Sequence, residues 1–150
     1  MVLSMPGEKT VFAYGTLMLP EIMRALLGRV PQGEAVQLTG YARHPILGEP
    51  YPGVIAAQDS VVYGILWRDV AATEIALLDA WEGPYYERRR IVVQPRSSAS
   101  GPAIEAFAWV VPEERAAVLG EGEWAETDFR ERLADEWVES CATFARARRG

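Results

Sequence analysis

Strand-like runs crowd the first two-thirds of the chain, and the one long stretch with helical apolar spacing comes last. This order constrains the fold more than any other feature. Val11-Phe12-Ala13, the alternating run from Ala35 to Ile46, Val54-Ile55-Ala56, Ser60 to Trp67, Tyr85 to Gln94 and Ala103 to Val111 all read as β-strands. A regular βαβ alternation would separate such runs with helices of similar weight, yet only two short helices intervene. The expected class is therefore α+β: a twisted mixed β-sheet with a barrel-like core, short helices and a long C-terminal helix.

The two short helices are marked by their ends. Pro20 opens and Gly28 closes a run with apolar residues at helical spacing, and Ala71 to Ala80 places Ala71, Ile75 and Leu78 on one face. The polar pair Gln58-Asp59 between two β-rich runs predicts a hairpin there. Pro95 to Pro102 is rich in Ser, Gly and Pro and is expected to be an exposed, mobile loop. Pro112-Glu113-Glu114 is a helix-start signal, and after Gly122 the chain continues into a long helical stretch. There Phe129, Leu133, Trp137, Cys141 and Phe144 form an apolar stripe, which reads as core contact. With 150 residues, no internal repeat and no persuasive boundary, residues 1–150 are expected to form one domain, with 1–9 a flexible N-terminus.

Charge and residue usage narrow the function classes. The net charge is −6, from 21 acidic and 15 basic residues, which opposes the phosphate field of nucleic acids and of anionic membranes. No apolar run approaches the ~20 residues of a bilayer span, and the N-terminus lacks the basic lead and apolar block of a signal peptide. A cytoplasmic location is the resulting expectation. The single cysteine, Cys141, has no partner for a disulfide and the single histidine, His44, has none for a metal or a triad. The Gly-x-Ser-x-Gly elbow is absent, and so is a Gly-x-Gly-x-x-Gly signature after the first strand. Neither metal nor cofactor is expected.

Two stretches remain for chemistry. Val11 to Leu17 runs an apolar strand into the glycine-centred turn Tyr14-Gly15-Thr16-Leu17, which reads either as a chain reversal or as an anion cradle of main-chain N–H groups. Glu82 stands where the second helix ends, between Trp81 and Gly83-Pro84. It reads either as a solvated turn glutamate or as a carboxyl whose pKa is raised beside the indole into the range useful for proton transfer. Arg88 to Arg90 alternate across a strand, so they form no single basic patch; Arg88 is left with an ion pair or a substrate contact.

These stretches come together with others in a fixed order. Phe12 to Leu17, Gly40-Tyr41-Ala42-Arg43, Tyr51-Pro52-Gly53, Val62-Tyr63-Gly64, Leu78 to Gly83 and Tyr86-Glu87-Arg88 resemble the gamma-glutamylcyclotransferase family, most closely its plant avirulence-induced-gene-like branch. The resemblance extends from about Val11 to Val93. It implies that Tyr14, Gly15, Thr16 and Leu17 hold the α-amino-acid end of a small γ-glutamyl amine or amide, and that Glu82 is the acid and base. It also implies an aromatic pocket residue after the glutamate, matched by Tyr86 with Tyr85 competing. The implied reaction closes the glutamyl group to 5-oxoproline and releases an amine, with the substrate's own α-amine as nucleophile. A non-catalytic ligand-binding or interaction module on the same fold is the alternative, and oligomeric state is left open.

Overall fold

Alternation along the strand-like runs gives each strand two apolar faces, and the structure uses both. In the computed structural model, which describes residues 9–97 and 102–149, five strands close into a barrel. They are β1 (Lys9–Ala13), β2 (Gln32–Pro45), β3 (Pro52–Val70), β4 (Glu87–Pro95) and β5 (Ile104–Val110), in the order β1-β3-β2-β4-β5. Neighbours run antiparallel except β1 and β5, which meet in parallel with Val11 opposite Phe107. The mixed, barrel-like sheet expected from the sequence is present.

One core cluster is drawn from the strands and the residue just after β1: Phe12, Tyr14, Val36, Leu38, Val62, Leu66, Ile91, Val93 and Ala108 are among its members. The opposite strand faces supply Val11, Ala13, Trp67 and Trp109 to a second cluster, which the helices complete. Helix α1 (Pro20–Leu27) gives it Ile22, Met23 and Leu26, and α2 (Ala72–Glu82) gives Ile75 and Leu78. From the C-terminal part, α3 (Glu126–Arg132) adds Phe129 and α4 (Ala134–Arg149) adds Cys141.

Three local expectations are corrected. Gln58-Asp59 does not turn a hairpin, because β3 runs on through it as one 19-residue strand. Its pairing with β2 steps from Thr39↔Val61 to Tyr41↔Ala56, so residues 57–60 bulge opposite Gly40. Gly40 (φ 88°) and Asp59 (φ 66°) take the left-handed backbone that such a kink requires. The chain reversal lies instead at 46–51, between β2 and β3.

The C-terminal helical stretch is likewise broken at Leu133 (φ −132°, ψ −8°). Residues four apart drift by about 40° around a 3.6-residue helix, so Phe129 and Cys141 would stand about 120° apart on one straight helix. Breaking the axis lets both enter the same cluster. Finally, Lys9, expected within a flexible terminus, is the first residue of β1 and pairs with Val70. Residues 1–8 and half of the Pro95–Pro102 loop (98–101) lie outside the described residues.

Candidate active site

The glycine-centred turn after β1 is held on several sides. Thr16–Met18 form a single 3-10 turn, and the guanidinium of Arg43 on β2 donates to the Tyr14 carbonyl oxygen at 2.8 Å. The Trp67 indole N–H donates to the Leu17 carbonyl oxygen at 2.9 Å. With these carbonyls engaged by the scaffold, the first N–H groups of the turn are the polar groups it has to offer, since a helical turn cannot pair them internally. Gly15 packs directly on Pro52: a Cβ there would stand 2.9 Å from both Cδ and Cγ of the proline ring. The turn can approach the start of β3 this closely only without a side chain.

Glu82 is the last residue of α2, and Gly83 at φ 80° turns the chain away towards β4. The half-buried carboxyl is pushed up to about 8, first by loss of hydration and second by the negative charge of Asp79 one turn earlier. The C-terminal end of the helix dipole acts in the same direction. Asp79 is fixed in place by the Trp109 indole N–H at 2.8 Å and by the Arg88 guanidinium at 2.8 Å. Arg88 is thus in an ion pair, one of the two readings its position left open.

A cavity of about 230 Å³ brings the two stretches together. Phe12 to Leu17 form one side; Trp81, Glu82, Tyr86, Tyr51, Pro52, Trp109 and Trp137 complete the lining. Every site residue expected from the sequence, namely Tyr14, Gly15, Thr16, Leu17, Glu82 and Tyr86, lines it. Tyr85 does not, although its ring packs 6.4 Å from Tyr51 and 6.5 Å from Tyr86. Buried Tyr14 donates its hydroxyl to the Trp109 carbonyl oxygen at 2.6 Å, and burial together with the Glu82 charge raises its pKa well above the ordinary phenol range. Tyr86 donates to the Pro52 carbonyl oxygen at 2.6 Å, and burial raises its pKa too.

The sequence reading missed part of this lining. Trp81 is expected beside Glu82 from the sequence, but the motif that holds Tyr51 and Pro52 assigns them no role, and nothing in the sequence marks Trp109. Trp137 belongs to the C-terminal stripe, for which the sequence predicts core contact. It does pack on Phe129 and Trp81, with ring centroids 5.7 and 6.1 Å away, but it also forms a wall of the cavity. Of the two lone residues, His44 meets the Gly122 carbonyl oxygen through Nδ1 at 2.8 Å, and Cys141 is fully buried. Among the described residues no group of three His, Cys, Asp or Glu side chains converges, and no helix is long and apolar enough to cross a membrane.

Comparison with known proteins agrees with this architecture. AIG2-like protein C of Arabidopsis thaliana is 26% identical over 148 residues, which span 99% of this chain and 84% of its own length. Protein AIG2 C of the same plant is 28% identical over 93% of this chain and 83% of its own. Among solved structures, an Arabidopsis thaliana protein determined in solution aligns over 100% of this chain and 89% of its own, with a TM-score of 0.69 and 24% identity. A gamma-glutamyl cyclotransferase aligns over 89% of this chain and 86% of its own, with a TM-score of 0.61 and 14% identity. The family model described as gamma-glutamyl cyclotransferase, AIG2-like, matches residues 11–126, a span that holds both the Tyr14–Leu17 turn and Glu82, and the chain belongs to that family.

Proposed function

We propose that the protein cyclises the γ-glutamyl group of a small γ-glutamyl amine or amide to 5-oxoproline and releases the amine, with Glu82 as general base and acid. The observation that carries this reading is the Glu82 carboxyl, held poorly hydrated in the lining of a cavity that the Tyr14–Leu17 turn also lines. In this reading the N–H groups of Gly15, Thr16 and Leu17 bind the substrate's α-carboxylate. The bound chain then curls so that its α-amine faces its own γ-carbonyl carbon.

Glu82, as carboxylate, takes a proton from the α-ammonium. The freed amine attacks the γ-carbonyl carbon; the new C–N bond closes the five-membered ring as the carbonyl π pair moves to oxygen. Glu82 hands its proton to the leaving nitrogen and takes the second proton, which the ring nitrogen, now with four bonds, must lose. When the oxygen pair returns, the bond to the leaving nitrogen breaks, and Glu82 passes that second proton to the released amine, which departs as its ammonium ion. The glutamate ends as it began, and no group on the protein is acylated. The protein's contribution is orientation, which supplies up to about 7–11 kcal/mol in well-aligned intramolecular reactions, together with one proton carrier.

The test is 5-oxoproline release from a panel of γ-glutamyl amines and amides. Glu82→Gln should lower turnover by about 10²–10⁴-fold while calorimetry shows the amide still bound. Binding without release by the unaltered protein would favour the non-catalytic ligand-binding module. A Glu82→Gln variant that keeps most of the activity would remove the glutamate from the mechanism.

A further inference from the structure

One of the aromatic residues that line the cavity carries a hydrogen-bond donor that the protein itself does not employ. Trp137 of α4 lines the cavity beside Tyr51, with ring centroids 5.9 Å apart, and its indole Nε1 is buried with no acceptor among the described residues. Three of the other four tryptophans spend their indoles on the protein: Trp67, Trp109 and Trp124 donate to the Leu17 carbonyl, the Asp79 carboxylate and the Pro50 carbonyl. The tyrosine hydroxyls of the lining are also committed, Tyr14 to Trp109, Tyr86 to Pro52 and Tyr51 to Glu49. A buried N–H without an acceptor is costly, and native proteins keep few of them.

The rest of the lining sharpens the point. Among the described residues Glu82 is the one charged residue lining the cavity, and no basic side chain among them lines it to meet an oxygen of the ligand. Neutral donors must serve instead. Trp137 also lies outside residues 11–126, which carry the family match, so the wall that α4 adds stands apart from the segment through which the chain is recognised as a family member.

We propose that Trp137 is a substrate-binding residue whose ring shifts as the cavity fills, so that its buried indole N–H comes to donate to an oxygen of the bound γ-glutamyl compound, making α4 a specificity element of the site. The inference rests on the proposed γ-glutamyl substrate, and binding and turnover are therefore read separately. The probe is γ-glutamyl-n-butylamine. Its dissociation constant is measured by calorimetry on the Glu82→Gln background with and without Trp137→Phe, and KM and kcat are measured with Glu82 present.

Trp137→Phe should raise both the dissociation constant and KM about tenfold, as expected for one lost hydrogen bond to a ligand, with kcat within about threefold. Its thermal midpoint should stay level or rise, because the substitution removes an unsatisfied donor. Trp137→His, which keeps a ring N–H in a smaller volume, should recover part of the lost affinity. Should the phenylalanine variant not fold, Trp137→Leu makes the same comparison.

Affinity within twofold of the parent, equal affinity for the phenylalanine and histidine variants, or no binding by the parent would each overturn the inference. Weakened binding in Trp137→Phe alongside no 5-oxoproline release by the unaltered protein would leave the inference standing and sink the cyclotransferase reading.

Discussion

Glu82 has three features that oppose its ionisation: partial burial, a helix C-terminus and Asp79 one turn away. In the proposed mechanism the carboxylate must be free to accept the α-ammonium proton. kcat/KM should therefore climb about tenfold per pH unit below pH 8 and level off above it. Asp79→Asn keeps an acceptor for Trp109 but deletes the neighbouring charge, and should move that rise to lower pH. A flat profile from pH 6 to 9, or a limb unmoved by Asp79→Asn, would rule out Glu82 as the titrating base. Stability carries the same signature with a definite sign. The folded state keeps the Glu82 proton from about pH 4.5 to about 8, where the unfolded chain has released it. Folding stability contributed by this group therefore falls as pH rises through that window, by at most about 1.4 kcal/mol per pH unit, and Glu82→Gln should abolish the slope in denaturant titrations.

Strand β3 shows how local sequence can be read correctly in parts and wrongly as a whole. Its β-branched runs were legible, but a polar Gln58-Asp59 pair between them carries the same local signal whether the chain reverses or bulges. Only the pairing of Thr39 and Tyr41 on β2 decides between the two, and that information is not local. The C-terminal stripe poses the same difficulty: spacing puts Trp137 on an apolar face, but the axis break at Leu133 and the docking of α4 decide that it also reaches the cavity. The Tyr14–Leu17 turn and Glu82 were legible because their chemistry is carried by short contiguous motifs. Gly64, in the same strand, makes a prediction that packing alone dictates. A Cβ there would lie 2.2 Å from the Ala13 carbonyl oxygen and 2.7 Å from the Phe12 ring. Backbone in a paired strand cannot move aside cheaply, so Gly64→Ala should cost about 3 kcal/mol, at the upper end of ordinary overpacking. Urea unfolding would measure it, and a midpoint within experimental error of the parent would show that β1 and β3 are not so tightly apposed.

The two core clusters divide the labour between architecture and site. The strand-built cluster holds the barrel closed, whereas the second joins the barrel's other face to α1, α2, α3 and α4, and two of these helices, α2 and α4, line the cavity together with the β1 turn. Helix α4 is therefore both a piece of core and a wall of the site, and its docking should respond to whatever fills the cavity. Cys141 reports on that docking without engineering, since it is the chain's single cysteine and is fully buried in α4. Its thiol is pushed up to about 12, by burial first and then by the charge of Glu82, so in the docked state it is both inaccessible and poorly ionised. Labelling by a thiol reagent at pH 8 should then proceed only through opening of α4, at least ~100-fold slower than in the unfolded chain if that opening costs about 3 kcal/mol or more. A saturating γ-glutamyl amine that contacts both the β1 turn and Trp137 favours the closed form by mass action. At 100 times its dissociation constant it should slow labelling by up to about 100-fold when opening abolishes binding. Rapid labelling of the folded protein would show that α4 is not held by the second cluster. Slow labelling indifferent to a ligand known by calorimetry to be bound would show that the ligand does not couple α4 to the barrel.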